Sequence, residues 1–379
     1  MADPKVLLFY VSENSGHHRA ALALEEALSG ADTPVRCRTI NTLRLTNPVL
    51  ENLVLKTYLG IVKNTPEIWD YLYDNHAFKE KIDSFRKFVH RVKAAKLLKL
   101  LETEQPQVLV CTQAFPCGLI ADRKARGEVT LPLIAVITDF TVHAYWVYKE
   151  VDLYIVPCQD TRMQLVSQGI PPEKIQVLGI PVSPRFTDKA DPSATKQRFG
   201  LSERLPLVLV MGGGHGLGPI EQIVRELDRL PGGLEIVVVT GTNKALRVAL
   251  EKNRKDFQKR VTIQGYLSDV APLMSVAEVL IGKAGGLTIS EAMASTLPMI
   301  LIDPLPGQEM RNTEFLLREK VAVLAHDATD AARLLQECLD DPSRLESMRE
   351  KIKILRKPDA GLSIAQEIIK KVRVPTLAL

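Results

Sequence analysis

The sequence predicts an α/β protein built from two parallel-sheet domains, and three observations support this prediction. Short, continuously apolar runs rich in β-branched residues alternate with helical patterns along most of the chain. Such runs are typical of strands that are buried on both faces of a parallel sheet. The alternation restarts after a polar stretch at 189–203. Finally, 379 residues are enough for two domains of about 100–200 residues each.

We expect a first domain at 1–185, a second at 186–357, and a C-terminal helix within 358–379 that packs back on the first. Each predicted strand is a short apolar run bounded by polar or turn residues. In the first domain these runs are Val6–Val11, Val35–Ile40, Val108–Cys111, Leu133–Ile137, Leu153–Val156 and Ile175–Leu178. In the second they are Leu207–Met211, Ile236–Thr240, Val261–Gln264, Val279–Ile281, Met299–Ile302 and Val321–Leu324.

One segment, 42–101, interrupts the alternation and has helical spacing without a clear strand. It carries many aromatic side chains as well as eight basic residues against two acidic ones between Lys79 and Lys99. Its candidate functional residues are Pro66, Trp69, Lys79, Arg86 and Lys87. The segment is either a basic, aromatic surface that meets an anionic membrane or an ordinary helical insertion with its aromatics in a core.

Composition excludes several classes of protein. The net charge of +4 is too small to indicate nucleic-acid binding. The first ten residues lack the basic start and long apolar run of a signal peptide, and no uncharged apolar run approaches the ~18 residues of a membrane span. The five cysteines are not clustered, which indicates reduced thiols and argues against a structural zinc site. We therefore expect a cytoplasmic protein that touches a membrane only from outside.

The loop after the first strand, Ser12–Ala21, opens a helix and carries Asn14, Gly16, His17 and His18. A glycine turn at a strand end with two histidines can supply a general base near neutral pH. The alternative is that one histidine caps the helix and the other is solvated.

Two loops of the second domain are glycine-rich. Residues 211–219 hold five glycines in seven positions, including Gly213 and Gly214, beside His215. Such a cluster lets the backbone approach a phosphate, yet it matches neither the dinucleotide-binding nor the P-loop pattern. The other loop, 282–292, offers Gly286, Thr288 and Glu291. We expect Glu291 in the first helical turn, either as a dipole-favoured or capping-box acid or as a carboxylate that accepts two hydrogen bonds from a ribose diol.

A third loop of the second domain, 303–312, is fixed by two prolines and a glycine. It presents Gln308, Glu309 and Asn312 at the start of a helix, with Asn312 four residues after Gln308. Amide and carboxylate side chains together suit sugar hydroxyls, which need both donors and acceptors.

These motifs together resemble the inverting GT-B glycosyltransferases of family 28. The resemblance rests on Gly-Gly-Gly-His after strand seven, Lys-Ala-Gly-Gly-Leu-Thr-Ile-Ser-Glu-Ala, and Pro-Gly-Gln-Glu-x-x-Asn. The first domain resembles the monogalactosyldiacylglycerol synthases and the bacterial diacylglycerol glucosyltransferases. This further likeness rests on Gly-His-His-Arg-Ala-Ala, on the segment Thr138–Trp146, and on the aromatic insertion. It implies two Rossmann-like domains whose sheets face each other across a cleft.

The resemblance also implies roles. His18 is the base that takes the proton of the acceptor hydroxyl, with His17 as the alternative. Gly213, Gly214 and His215 cradle the diphosphate, and Tyr266 and Leu267 meet the uracil edge. Glu291 holds the ribose, and Gly286 and Thr288 also belong to the donor site, where Thr288 either caps the helix or contacts phosphate. Gln308, Glu309 and Asn312 contact the sugar or its neighbouring phosphate. The acceptor and membrane side is implied to include Asn14, Gly16, His17, Pro66, Trp69, Asp139, His143, Trp146, Lys79, Arg86 and Lys87.

The implied reaction is transfer of galactose or glucose from a UDP-sugar to diacylglycerol or a similar membrane lipid, with no cofactor and no metal required. We expect binding to an anionic membrane surface at the inner face of the plasma membrane, and no nucleic-acid partner. Three alternatives remain open. They are transfer of N-acetylglucosamine to a polyprenyl-linked acceptor, a UDP-GlcNAc 2-epimerase, and a non-catalytic protein that binds nucleotide sugars and membranes.

Overall fold

The chain folds into two α/β units, each built on one six-stranded parallel sheet. The structure, a computed structural model, describes residues 3–46, 95–188 and 191–373. The first unit comprises the described residues up to Ser183, with Leu305–Gln308 and the chain from Asp359 on. The second comprises Pro184–Pro304 and Glu309–Pro358.

The sheet of the first unit has the order β2-β1-β3-β4-β5-β6, and every pair of neighbours is parallel. Its strands are β1 Lys5–Tyr10, β2 Arg36–Asn41, β3 Val108–Cys111, β4 Leu133–Val136, β5 Leu153–Val156 and β6 Ile175–Val177. Its α-helices are Gly16–Ser29, Thr42–Thr46, 95–104, Ala114–Ala125, Gln159–Ser167 and Ala360–Arg373, with 3-10 turns at Ala144–Trp146 and Pro172–Lys174.

The sheet of the second unit has the order β12-β11-β10-β7-β8-β9 and is also parallel throughout. Its strands are β7 Leu207–Met211, β8 Glu235–Val239, β9 Arg260–Gln264, β10 Val279–Gly282, β11 Met299–Ile302 and β12 Ala322–Ala325. Its α-helices are Pro192–Phe199, Ile220–Asp228, Lys244–Lys252, Ala271–Val276, Gly286–Ala294, Gln308–Arg318, Ala328–Asp340 and Pro342–Leu355, with 3-10 turns at Pro184–Phe186 and Arg254–Asp256.

Side chains along β1 alternate between two separate cores, one on each face of the first sheet. Leu7 and Phe9 pack into one core, and Val6 and Leu8 into the other. All four are fully buried, as expected for a parallel strand covered by helices on both faces. Helix Ala360–Arg373 covers the second of these faces, where its isoleucines join the core.

All twelve predicted strands are present, and each boundary agrees with the prediction within one residue. The predicted α/β class with two parallel sheets is thereby confirmed. At its described ends, 42–46 and 95–101, the insertion is helical. The residues between them, including Pro66 and Trp69, lie outside the described part of the chain.

Each sheet has one point where the direction of winding reverses, and this point determines where a ligand can bind. In the first sheet β1 lies between β2 and β3, and in the second β7 lies between β8 and β10. The loops after the strands on either side of such a point diverge to opposite faces of the sheet, which leaves a crevice beyond their carboxyl ends. The loops after β1 and β3, and after β7 and β10, are therefore the natural binding loops of the two units.

Candidate functional site

The loop after β1 turns sharply into helix Gly16–Ser29. Asn14 takes a left-handed conformation with φ 58°, which asparagine tolerates better than most residues. Ser15 caps the helix, because its Oγ accepts a hydrogen bond from the N–H of His18 at 3.2 Å. His17 and His18 consequently stand in the first helical turn, at the carboxyl edge of the sheet beside the crevice.

The imidazole of His17 is held by the two neighbouring strand ends. Its Nδ1 lies 2.9 Å from the carbonyl oxygen of Thr112, after β3, and 2.8 Å from Oγ1 of Thr138, after β4. Because a carbonyl oxygen only accepts, Nδ1 carries the proton and Nε2 keeps the lone pair. Burial lowers the pKa of His17 to about 4, so the ring is neutral near pH 7.

The imidazole of His18 has a different environment. It stacks on the ring of Tyr10, with centroids 4.2 Å apart and an interplanar angle of 16°. Its Nδ1 lies 3.5 Å from Oε2 of Glu13 and 3.4 Å from the N–H of Asn14. The first contact favours a proton on Nδ1 and the second favours a lone pair there, so these contacts do not fix the tautomer.

The pKa of His18 is lowered, chiefly by burial. The carboxylate of Glu13 opposes this shift, and the charge of Arg19 adds to it. Glu13 is held in turn by the hydroxyl of Tyr10 at 2.9 Å. His18 is thus a half-buried histidine packed along the loop, whereas His17 is anchored across the sheet.

The segment Thr138–Trp146 follows β4 at the same edge. Asp139 is buried, and its Oδ2 accepts a hydrogen bond at 2.9 Å from Nε2 of Gln308, which belongs to the first unit. His143 is partly buried beside Tyr145 and Trp146, at 5.7 and 6.2 Å between ring centroids.

The predicted contact of Trp146 with acceptor or membrane does not fit the structure. Only 2% of the residue is exposed, and its ring packs in the core between the sheet and helix Ala114–Ala125. Its backbone carbonyl accepts a hydrogen bond from the hydroxyl of Tyr154 at 2.8 Å. Trp146 is therefore a core residue of the first unit, which sequence alone does not distinguish from an interfacial tryptophan.

The remaining residues predicted for the membrane side belong to the insertion. Pro66, Trp69, Lys79, Arg86 and Lys87 lie outside the described residues. Their role stays a prediction. Within the described residues, no helix is long and apolar enough to cross a bilayer.

The loop after β7 is folded so tightly that glycine is required. A Cβ on Gly212 would lie 2.2 Å from the carbonyl oxygen of Leu217, and one on Gly216 would lie 2.0 Å from that of Thr240. Gly213 and Gly216 also have φ angles of 66° and 58°, which favour glycine. The glycine cluster is thus a fixed structure and not a merely flexible turn.

This loop presents a run of backbone donors. Among the hydrogen bonds of the described residues, none uses the N–H of Gly213, Gly214 or His215. Consecutive N–H groups of this kind form a concave site for an anion such as phosphate. The side chain of His215 is half-buried, its Nδ1 lies 3.4 Å from Oγ1 of Thr242, and burial lowers its pKa, so it adds little positive charge.

The loop after β10 leads into helix Gly286–Ala294, which has no side-chain cap at its first residue. The first N–H groups of the helix have no partner within it, so they add a second set of donors beside the glycine loop. Thr288 is half-buried in this first turn.

The expectation that Glu291 lies in the first turn is wrong. It is the sixth residue of helix Gly286–Ala294, and its side chain is buried with 7% exposed. The interpretation as a first-turn acid favoured by the helix dipole is thereby excluded, because that effect is confined to the first turn. The ribose contact stays a prediction.

The loop after β11 supplies Glu309 and Asn312 to the second unit, while Gln308 lies with the first. Asn312 is fully buried, and its Nδ2 donates to the carbonyl oxygen of Ala284 at 3.0 Å. Through this hydrogen bond, Asn312 holds the loop after β10 in place. Glu309 lies 3.5 Å from Nζ of Lys283, a residue for which the sequence analysis assigned no role.

Tyr266 and Leu267 follow β9 and lie at the far side of the same edge. Tyr266 is exposed at 40%. Gly265 lies against Arg247, since a Cβ there would be 3.1 Å from Nη1.

The guanidinium of Arg185 lies 3.5 Å from the carboxylate of Asp269, and both side chains are partly exposed. Within the described residues, no group of three or more His, Cys, Asp or Glu side chains is arranged to hold a metal ion.

Two family models match the chain, one over each unit. The model of monogalactosyldiacylglycerol (MGDG) synthase matches residues 17–182, and the model of the glycosyltransferase family 28 C-terminal domain matches residues 207–364. Together they span most of the sequence, and the first match begins at His17.

Curated relatives match almost the full length. A processive diacylglycerol beta-glucosyltransferase of Bacillus mycoides (strain KBAB4) is 28% identical over 372 residues, covering 97% of this chain and 94% of the relative. One of Bacillus thuringiensis (strain Al Hakam) is 29% identical over 374 residues, with the same coverage.

Solved structures show the same fold at low sequence identity. The S. aureus MnaA–UDP co-structure has a TM-score of 0.66 at 16% identity, covering 98% of each chain. Acinetobacter baumannii MurG has a TM-score of 0.62 at 16% identity, covering 97% of this chain and 100% of MurG. UDP-GlcNAc 2-epimerase from Neisseria meningitidis, bound to UDP-GlcNAc, has a TM-score of 0.64 at 13% identity, covering 97% and 100%. The fold is therefore GT-B-like, and the two family matches show that this chain is a glycosyltransferase of family 28.

Proposed function

We propose that the protein transfers a hexose from a UDP-sugar to diacylglycerol or a similar membrane lipid, with inversion at the anomeric carbon. The observation that carries the donor half is the run of three backbone N–H groups at Gly213–His215, beside the uncapped start of helix Gly286–Ala294. Both lie at the reversal point of the second sheet. The acceptor half is supported by the relatives, which are named for diacylglycerol.

In the proposed reaction the acceptor hydroxyl attacks the anomeric carbon while the bond to the UDP oxygen breaks. A base takes the hydroxyl proton, and the electron pair of the broken bond leaves with UDP. The backbone donors at Gly213–His215 and the helix start stabilise the charge that develops on the diphosphate. Since these donors belong to the fold, we propose that no metal is needed. Addition of EDTA should leave the rate unchanged.

We propose His17 as the base, in place of the neighbouring His18 that the resemblance implied. Its Nδ1 proton is held by Thr112 and Thr138, which leaves Nε2 as the acceptor of a proton. Burial lowers its pKa to about 4, so the ring is neutral at neutral pH and Nε2 carries no proton. Among the contacts of the described residues, none fixes the tautomer of His18 in this way.

We propose that further residues at the carboxyl edge of the second sheet bind the rest of the UDP-sugar. Glu291 would hold the ribose diol, Tyr266 and Leu267 the uracil edge, and Glu309 the sugar. Gln308 and Asn312, which the sequence analysis also assigned to the sugar, are both engaged in protein contacts. We assign them to positioning.

Two other reactions are tested with UDP-GlcNAc. Because the fold matches a UDP-GlcNAc 2-epimerase, the protein is first incubated with UDP-GlcNAc alone. Because the second unit matches family 28, a polyprenyl-linked acceptor is then added. NMR of the nucleotide sugar would detect epimerisation, and chromatography would detect lipid product. We expect neither reaction at a rate comparable with hexose transfer to diacylglycerol; turnover of UDP-GlcNAc alone would replace the proposed function.

A further inference from the structure

Lys283 is a nearly buried lysine at the reversal point of the second sheet. It directly follows β10, and only 7% of the residue is exposed. Its stem runs beside the glycine loop, since a Cβ on Gly218 would lie 3.6 Å from its Cδ. Lysine is rarely buried unless it is paired, so the position of this ammonium needs a reason.

Two carboxylates from the loop after β11 flank the ammonium. Its Nζ lies 3.5 Å from Oε2 of Glu309 and 3.7 Å from Oδ2 of Asp303. Both distances exceed the ~2.7–2.9 Å of a tight charge-assisted hydrogen bond. The ammonium is therefore shared between the two carboxylates and is not committed to one of them.

The charges of this cluster matter because an anion is proposed to bind next to it. Asp303 and Glu309 bring two negative charges to the edge that also carries the Gly213–His215 donors. Without the ammonium of Lys283, these two carboxylates would repel a diphosphate more strongly. Asp303 also holds a left-handed φ of 47°, so its loop conformation is strained and depends on its contacts.

We propose that Lys283 is a positioning residue that neutralises Asp303 and Glu309 and so lets Glu309 contact the donor sugar beside an anionic diphosphate. The inference rests on the proposed function, because it takes a nucleoside diphosphate sugar as the ligand. It assigns Lys283 no contact with the reacting atoms.

The test is calorimetric titration of UDP and of UDP-glucose into the full-length protein. Lys283→Met should weaken both by about tenfold, because the variant loses a positive charge that lies 3.5 and 3.7 Å from the two carboxylates. The deficit should shrink as NaCl rises from about 50 mM to about 500 mM, since salt screens the repulsion. Lys252→Met, the same change at an exposed lysine of helix Lys244–Lys252, is the matched control and should bind normally.

Two further variants separate charge from packing. Lys283→Arg keeps the positive charge and should bind UDP within about threefold of the wild type. Lys283→Met combined with Asp303→Asn removes one of the exposed negative charges and should recover part of the lost affinity. Thermal melting of each variant shows whether it is folded.

The outcomes are distinct. If the wild type binds UDP and Lys283→Met binds it equally well, the inference is overturned. If Lys283→Arg is folded but as weak as Lys283→Met, charge compensation is also overturned. If the wild type itself binds no UDP, the proposed function fails instead.

Discussion

At the scale of single residues, the two adjacent histidines after β1 show how one turn of helix gives neighbours different chemistry. His17 points across the sheet to Thr112 and Thr138, which fixes the proton on Nδ1. His18 lies along the loop between Tyr10 and Glu13. A successive pair on a helix is rotated by about 100°, so only one of them can reach the strand ends.

The first prediction separates these histidines. His17→Ala should lower kcat by about 10²–10⁴-fold, the usual loss when a general base is removed, while UDP binding is retained. His18→Ala should keep most of its activity, because its ring packs on Tyr10 and is not anchored to the strand ends. Steady-state kinetics with calorimetry of UDP binding checks both. An inactive His18→Ala beside an active His17→Ala would return the role to His18.

The second prediction concerns pH. His17 must be neutral to act as a base, so kcat/KM should fall as the pH drops through about 4 and stay level above it. The same lowered pKa affects stability. The unfolded chain binds a proton near pH 6.5 and the folded one does not, so the free energy of unfolding should decrease as the pH falls from 6.5 towards 4.

Equilibrium denaturation at several pH values checks the stability part. The loss attributable to His17 is at most about 3 kcal/mol over this range. His17→Gln should flatten the dependence. An identical pH dependence in the variant would show that the imidazole of His17 is not held neutral by burial.

At the scale of elements, the loops after β7 and β10 both present backbone N–H donors. The loop after β7 does so through its glycine cluster, and the loop after β10 through the start of helix Gly286–Ala294. The glycines allow neighbouring backbone segments to pack closely together. At Gly212, Gly216 and Gly241 a Cβ would lie within 2.4 Å of a carbonyl oxygen of a neighbouring segment. Donors fixed in this way need no reorganisation when charge develops on a leaving group.

The third prediction follows from this packing. Gly212→Ala should lower the free energy of unfolding by about 3 kcal/mol and abolish UDP binding, because the loop must move to admit the Cβ. Gly169→Ala is the control. That glycine has a φ of 86° but open space around it, so about 1–2 kcal/mol of backbone strain is expected, without loss of binding. Denaturation and calorimetry check both; a Gly212→Ala protein of wild-type stability would contradict the packing argument.

The elements were largely predictable from the sequence, because buried parallel strands are local apolar runs. The β7 run Leu207–Met211 and the β11 run Met299–Ile302 were predicted to the residue. The predictions that failed have two causes. Glu291 was expected in a first helical turn, whereas the helix begins at Gly286, and helix ends are poorly marked in sequence. Trp146 was not recognised as core because its burial depends on contacts between distant segments. Lys283 was passed over because its two carboxylate partners lie 20 and 26 residues further along the chain.

At the scale of the whole molecule, each unit carries its own reversal point with its own set of polar groups. The first has a neutral, anchored histidine, and the second has backbone donors with a buried lysine. The proposed base in one unit and the proposed anion site in the other are the two parts that the proposed transfer requires. The family matches follow the same division, with one model over each unit.

The fourth prediction concerns the insertion, whose basic and aromatic residues lie outside the described part of the chain. If it docks the protein on an anionic membrane, reversing Lys79, Lys81, Arg86 and Lys87 to Glu should greatly weaken binding to phosphatidylserine vesicles. Each basic residue near such a surface contributes about 1 kcal/mol. Flotation of the protein with vesicles measures this.

A variant with the same change of charge elsewhere is the control for that experiment. It reverses four exposed basic residues of the second unit, namely Arg229, Lys252, Arg254 and Lys255. It should still float with the vesicles. Equal binding by both variants would show that the insertion does not direct docking.

The central claim is tested most directly by incubating the protein with radiolabelled UDP-glucose or UDP-galactose and vesicles containing diacylglycerol, and by identifying the labelled lipid. The account predicts that one of the two hexoses appears in a β-linked glycosyl diacylglycerol. The product should form in the presence of EDTA, and with His17→Ala it should form about 10²–10⁴-fold more slowly. No lipid-linked label from either donor, with a protein that is folded and binds UDP, would contradict the account.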